Sequence, residues 1–278
     1  MIRKVTIAGL GLMGASLAKA IRKYTDCDVY GWNRTVAVTE TAIAENVIIG
    51  KATDEVLADT DLLIVGLFPQ SSIDYILKNV SKLKKGAIIV DIVGVKTTVI
   101  DAVEQVCKDS GIIFIGGHPM AGLEVAGYSN SIANLYENAS MILVPTIAST
   151  DIEIEQMKEF FTCLGFGTIR VCTKEEHDEM IAYTSQLAHI VSNAFMQSPR
   201  SAKHQGFSAG SYKDMTRVAT LNENVWSELF ILNKKDIVKE IDVLLNNIQN
   251  LRDAIDKSDE EKLISLLKTG RERKELYK

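Results

Sequence analysis

Short apolar runs alternate with helical patterns along the first half of the chain. The runs cover residues 4–8, 28–32, 62–67, 87–92, 112–115 and 141–144. Each is brief and rich in Val, Ile and Leu, the pattern of strands buried on both faces. Helical spacing fills the gaps, for example over 15–23, 73–80, 97–108 and 151–163. Strand–helix alternation of this kind predicts a doubly wound parallel sheet of Rossmann type, an α/β fold. One more short strand, over 167–172, closes the region.

The pattern changes near Thr173. From there on only helices are predicted, over 174–196, 225–250 and 259–277. In the second of these, Ile237, Ile241, Leu244, Leu245 and Ile248 recur at helical spacing. Residues 198–216 are richer in Ser, Gly and Lys and are expected to be loop or short turns. The chain therefore divides into a dinucleotide-binding domain over 1–172 and an all-helical substrate and dimerisation domain over 173–278. Helices with long apolar stripes complete their core across a partner, so a homodimer is expected.

Composition narrows the function classes. The chain has 278 residues, 46% of them apolar and 24% charged, which suits a globular protein and excludes wholesale disorder. With 31 Lys and Arg against 36 Asp and Glu, the formal charge of −5 argues against a general nucleic-acid binder. The one basic cluster, Arg271, Arg273 and Lys274, alternates with Glu272 and Glu275 and fits a solvated helix end. Cys27, Cys107, Cys163 and Cys172 form no CxxC pair and lack a His at zinc-site spacing, so free thiols and no metal are expected. No apolar run reaches the ~20 residues of a membrane span. The opening stretch has the apolar run of a signal peptide, but a glycine triplet interrupts it. A cytoplasmic protein without membrane or nucleic-acid partners is expected.

The first motif with chemistry is Gly9-Leu10-Gly11-Leu12-Met13-Gly14. It follows a predicted strand and opens a predicted helix, the context of a dinucleotide-binding turn. Gly9 permits the tight turn, Gly11 lets backbone approach a pyrophosphate, and Gly14 lets the helix pack on the strand. The helix N-terminus then faces the phosphate charge. An NAD site places a carboxylate at the end of the second strand, to accept from the ribose 2′-hydroxyl. This chain has Asn33, Arg34 and Thr35 there. Arg34 can meet a 2′-phosphate, which favours NADP, with NAD as the alternative if Arg34 is only a surface residue.

The second motif is Gly116-Gly117-His118-Pro119-Met120-Ala121-Gly122. Its glycines imply a close backbone approach and its proline a turn. His118 is placed just past the carboxyl end of a strand, where open α/β sheets bind ligands. On chemistry alone it fits a proton-transfer group or a loop anchor.

The residues 9–18 and 116–122 resemble the prephenate/arogenate dehydrogenase family of tyrosine biosynthesis. The similarity continues through Glu124, Gly127, Glu176-His177-Asp178, Thr184-Ser185-Gln186-Leu187-Ala188-His189 and Tyr212-Lys213-Asp214-Met215-Thr216-Arg217-Val218-Ala219 to Trp226 and Leu232-Asn233-Lys234. It spans nearly the whole chain. The resemblance implies an oxidative decarboxylation with hydride transfer to NAD(P), His118 being the catalytic residue. It implies substrate binding by Arg217, His189, Ser185 and Gln186, with prephenate favoured over arogenate. Arg217 also fits an interdomain salt bridge, and His189 a core histidine bonded to backbone.

Two departures stand out. Gly94 replaces the serine that, in the family, contacts the catalytic histidine and the nicotinamide side. The imidazole must then be oriented by something else, for which Thr97 or a water is the expectation. Gln186 and Ala188 replace a His and a Pro, and Ala188 is expected to straighten its helix. Lys96 lies near the nicotinamide position but is also read as a surface lysine at a helix start. His177 and His204 are expected to be structural or exposed. The remaining alternatives are a β-hydroxyacid dehydrogenase, against which the 116–122 segment argues, and a non-catalytic dinucleotide sensor, which Gly94 encourages.

Overall fold

The computed structural model describes residues 2–277. Its strands are β1 (Lys4–Ala8), β2 (Asp28–Trp32), β3 (Gly50–Lys51), β4 (Leu62–Val65), β5 (Ile88–Asp91), β6 (Ile113–Met120), β7 (Ser140–Val144) and β8 (Thr168–Val171). The helices between them are α1 (Leu12–Tyr24), α2 (Val36–Ala44), α3 (Asp54–Ala58), α4 (Pro69–Asn79), α5 (Thr97–Asp109) and α6 (Asp151–Cys163). Six more follow: α7 (Lys174–Ile181), α8 (Leu187–Met196), α9 (Gly210–Thr216), α10 (Glu223–Leu232), α11 (Lys234–Asp256) and α12 (Glu260–Leu276).

The eight strands form one sheet in the order β3-β2-β1-β4-β5-β6-β7-β8. Every residue of β4 and β5 is buried. Alternate residues feed opposite faces, as the strand period of two requires. Ile64, Val90 and Ile115 join α1 and α6 on one face. Leu63, Ile89 and Phe114 join α4 and α5 on the other. Each fully buried side chain of this kind contributes about 1.5–3 kcal/mol relative to exposure.

The sheet differs from the sequence expectation in one pairing. β7 runs antiparallel to β6, from Gly116↔Val144 to Met120↔Ser140. An apolar run carries no sign of direction, so the pattern could not show it. This pairing also carries β6 beyond Gly116, where its parallel register with β5 ends. His118 and Pro119 therefore lie inside a strand, not in a turn after one. A proline is tolerated there because β6 has lost its neighbour on the β5 side.

The helical half also departs in detail. The stretch 174–196 is not one straight helix, since a π turn over Ala182–Gln186 separates α7 from α8. Ala188 follows that turn and does not remove it. The stretch 225–250 breaks at Asn233, which is buried and caps both α10 and α11. Its side-chain amide donates to the Asp178 carbonyl at 2.9 Å and to Gln186 Oε1 at 2.7 Å, so the break is pinned from outside the helix. The 198–216 stretch contains a 3-10 turn at Pro199–Lys203 and α9.

Helix α10 brings the helical half over the carboxyl end of the sheet. Leu229 and Leu232 pack on the second core cluster, and Glu228 Oε1 accepts from the Gln70 N–H at 3.0 Å. Among the described residues, no helix is long and apolar enough to cross a membrane, and no cluster of metal-binding side chains occurs. All four cysteines are free.

Candidate active site

The turn from β1 to α1 sits at the carboxyl end of the sheet. Gly9 has φ +97°, and a Cβ there would lie 2.3 Å from the Gly66 carbonyl oxygen. A Cβ on Gly14 would lie 1.9 Å from the Gly9 oxygen, so both positions require glycine. Gly11 is different: a Cβ there would meet nothing within 4 Å. It opens onto a cavity of about 580 Å³ that Gly9, Asn33, Arg34 and Thr35 also line. No side chain caps the N-terminus of α1 and its first turn holds no acid, which leaves the N–H groups and their partial positive charge for a ligand. These features fit a dinucleotide pyrophosphate.

The other residues of the turn shape it from behind. Leu10 and Leu12 are buried, and the Met13 carbonyl accepts from the Tyr136 hydroxyl at 2.7 Å. Asn33 is turned inward. Its Oδ1 accepts from the Leu10 N–H at 3.1 Å and its amide donates to the Thr35 carbonyl at 3.3 Å. Arg34 is exposed on the cavity wall. Trp32 packs on Tyr75 across the same cavity, with ring centroids 4.9 Å apart.

A second group of side chains gathers where β5, β6 and α7 meet. His118 projects from β6, and its Nδ1 lies 2.8 Å from Nε2 of His177. His177 Nδ1 lies 2.8 Å from Asp178 Oδ1. Asp178 also caps α5, accepting the N–H of Lys96 at 2.8 Å and of Thr97 at 2.9 Å. Lys96 is wholly buried; its ammonium pairs with Asp91 and donates to the Gly117 carbonyl at 2.7 Å. The glycines of β6 make room for this. A Cβ on Gly116 would lie 3.0 Å from Lys96 Cδ, and one on Gly117 would lie 2.6 Å from the Asp91 carbonyl oxygen.

Burial governs the titration of these groups. It pulls His118 well below its ordinary pKa of about 6.5, helped by His177 and Lys96 and opposed by Asp178. It also lowers His177, against the pull of Asp178. Asp178 moves below the carboxylate range because its hydrogen bonds outweigh its own desolvation. At neutral pH His118 and His177 are thus neutral imidazoles in line with the Asp178 carboxylate.

The helical half carries the other expected site residues. His189 Nδ1 lies 2.8 Å from the Val218 carbonyl, and its ring packs on Trp226 at a tilt of 38°, with centroids 3.7 Å apart. Burial lowers its pKa, the Val218 carbonyl raises it and Arg217 lowers it, so its ring is neutral with Nε2 unbound to backbone. Arg217 pairs with Glu124 at 3.3 Å, and both side chains are more than half exposed. Ser185 is half-buried within the π turn.

The family described as prephenate dehydrogenase, nucleotide-binding domain matches residues 17–169. The chain belongs to the prephenate dehydrogenase family. The family's dimerization domain matches residues 173–269. A prephenate dehydrogenase of Bacillus subtilis is 27% identical over 96% of this chain and 74% of its own length. A cyclohexadienyl dehydrogenase of Zymomonas mobilis is 28% identical over 96% of this chain and 94% of its own. Among solved structures, the prephenate dehydrogenase of A. aeolicus, in complex with hydroxyphenyl propionate and NAD+, superposes with a TM-score of 0.88. It is 26% identical and covers 100% of this chain and 99% of its own.

Within that family frame, four sequence expectations need correction. Lys96 is not a surface lysine and does not reach the cofactor cavity, because its ammonium is committed to Asp91 and Gly117. Gln186 is not an open side chain: it is buried, its Oε1 accepts from Asn233, and its Nε2 has no partner among the described residues. Thr97 does not orient His118, since its side chain as well as its N–H is turned to Asp178. His177 is not exposed; it is buried, with Nε2 2.8 Å from Nδ1 of His118. The sequence signal for it was a His–Asp pair at a helix start, but its partner lies 59 residues away. At Gly94 a Cβ would lie 3.9 Å from His118 Nε2 and 3.5 Å from a Leu229 methyl, which is ordinary contact. The space for the family's serine is present; only the hydroxyl is missing.

Proposed function

We propose that this chain oxidatively decarboxylates prephenate to 4-hydroxyphenylpyruvate, with His118 as general base. The observation that carries the reading is a neutral histidine beside the open flank of Gly94, at the sheet end that also bears the glycine turn. A bound nicotinamide dinucleotide supplies the hydride acceptor. Its pyrophosphate would rest on Gly11 and the α1 N-terminus, and its ribose near Asn33, Arg34 and Thr35. His118 accepts the proton of the ring 4-hydroxyl at Nε2 as the carbon below it is oxidised. The ring carboxylate leaves as CO₂ and aromatisation favours the products. Arg217 binds a substrate carboxylate, trading its exposed pair with Glu124 for a charge-assisted bond. His189 spends its one proton on the Val218 carbonyl, so its bare Nε2 can meet the oxo-acid side chain only through a bridging water, with the Ser185 hydroxyl nearby on the π turn as a direct donor.

The deciding assay follows reduced-nicotinamide absorbance with prephenate or arogenate, each with NAD or NADP. Turnover of prephenate supports the reading; silence in all four, with the cofactor bound, would sink it. Arogenate is the second reading, favoured by one observation: Glu124 stands beside Arg217, where a carboxylate can meet an ammonium.

The cofactor reading is NADP. No carboxylate ends β2, and Asn33 Oδ1 already accepts from the Leu10 N–H. Arg34 is free to face a 2′-phosphate. A bond to a charged group contributes about 1.5–3 kcal/mol, so Arg34→Asp is expected to swing the NADP/NAD ratio of kcat/KM roughly 10- to 100-fold towards NAD. An unchanged ratio would mean that Arg34 does not meet the cofactor. Arg217→Ala is expected to raise the substrate KM by about 10- to 100-fold on the same scale. Its melting temperature should barely move, since an exposed pair contributes little. A near-normal KM would make the Glu124 pair a structural tie and nothing more.

The helical half is read as a homodimer interface, in line with its family description. Of the apolar stripe on α11 only Ile237 is buried, while Leu245 and Ile248 stand exposed, as do Ile264 and Leu267 of α12. A second copy of the chain would cover them.

A further inference from the structure

We infer that His177, backed by Asp178, is a positioning residue that fixes the ring tautomer of His118 and leaves Nε2 as its bare, proton-accepting nitrogen. The inference rests on the reading of His118 as the base. Four hydrogen-bonding steps carry it, each fixed by the one before. The N–H groups of Lys96 and Thr97 hold the two oxygens of Asp178 as acceptors, at 2.8 and 2.9 Å. A carboxylate can only accept, so His177 Nδ1, 2.8 Å away, carries the proton. A neutral imidazole has one N–H, so His177 Nε2 is a lone pair. His118 Nδ1, 2.8 Å from that lone pair, must donate. Its own single proton is then used, and Nε2 is bare.

The surroundings leave this line intact. The charged or titratable groups around His118 are His177, Lys96 and Asp178, and around His177 they are Asp178, Lys96 and Asp91. Lys96 is turned to Asp91 and the Gly117 carbonyl, so it competes for neither imidazole. On the far side of His118, Nε2 faces Gly94, where no hydroxyl can donate to it. When Nε2 takes the substrate's hydroxyl proton, the ring becomes an imidazolium. Its Nδ1–H bond to His177 is then charge-assisted, with the Asp178 carboxylate one ring further on. His177 thus does the orienting work for which this chain has no serine.

The test is ¹⁵N NMR of the histidine ring nitrogens in the full chain, which has four histidines. The His118 signals are assigned by their loss in His118→Asn. Wild type is expected to show His118 as the Nδ1–H tautomer. In His177→Gln an amide oxygen replaces Nε2, and the tautomer should persist. In His177→Phe the Nε2–H form should appear. With it, kcat should fall about 10- to 100-fold, as when an orienting partner is removed, with KM and cofactor affinity within about twofold. His177→Gln should recover most of that loss. Should the Phe variant fail to fold, His177→Asn, too short to reach His118, takes its place. An Nε2–H tautomer in wild type, or an unchanged tautomer and kcat in the Phe or Asn variant, overturns the inference. The ring measurement needs no substrate, so it stands even if no cyclohexadienyl compound is turned over.

Discussion

Replacing His118 with Asn is expected to lower kcat about 10²- to 10⁴-fold, the range of a lost general base, while leaving cofactor affinity unchanged. The choice of Asn matters. Its amide nitrogen falls near the place of Nδ1 and can still donate to His177, so the buried cluster stays satisfied. Only the acceptor at Nε2 is lost. The cofactor cavity is lined from the turn after β1, the end of β2, α3 and α4, not from β6, so its affinity reports an undisturbed fold. Steady-state kinetics and cofactor titration of the same sample check both halves. Turnover within tenfold of wild type would remove His118 from the chemistry.

The pH dependence follows from the same residue. The base acts in its neutral form, so kcat/KM falls as pH drops through its pKa. Burial, His177 and Lys96 hold that pKa well below the ordinary value of about 6.5. The acid limb should therefore lie well under pH 6.5, with the base ready across the neutral range. An acid limb at or above that value would mean that His118 is more solvated, or better paired with a carboxylate, than the structure places it.

How far the sequence carried this picture depends on where the physics is local. The strands at 4–8 and 28–32 were legible to the residue, because each is a short β-prone run set between helical stretches. β3 has two residues, too few for any period, and α2 and α3 went unseen with it. The Asn233 break was hidden because apolar spacing continues across it; the tertiary bonds to Asp178 and Gln186 make the break. In the site, the glycine turn could be read because its three glycines fall within six residues, between one strand and the helix that follows it. Lys96 could not, since a lysine opening a helix normally faces water. The available hint was Asp91, an acid in an otherwise apolar strand with a lysine five residues on. His177 was beyond reach of spacing arguments, because only the docking of α7 against β6 brings it to His118.

Lys96→Met is expected to lower stability by about 3–5 kcal/mol, the penalty of leaving a buried charge without its partner. Methionine keeps the apolar stem that packs on Gly116. It removes the ammonium, and Asp91 is then left with one hydrogen bond, from the Val93 N–H at 3.1 Å. The other oxygen, Oδ1, already has no partner among the described residues. At about 2–4 °C per kcal/mol, thermal unfolding should move down by roughly 10 °C. Adding Asp91→Leu should restore much of the loss, because a buried ion pair can often be exchanged for apolar packing. A single-variant loss under about 1 kcal/mol would place Lys96 in contact with water, contrary to its complete burial. Activity should not return with stability. The Lys96 ammonium also holds the Gly117 carbonyl, one residue before His118, and neither variant replaces that donor. A displacement of about 1 Å at a reacting group can lower rate by roughly 10², so the stable double variant should still turn over slowly. Its cofactor affinity should be normal, because the glycine turn on β1 is untouched. The pair thus separates two roles of one lysine: its charge holds the fold, and its reach to Gly117 sets where His118 stands.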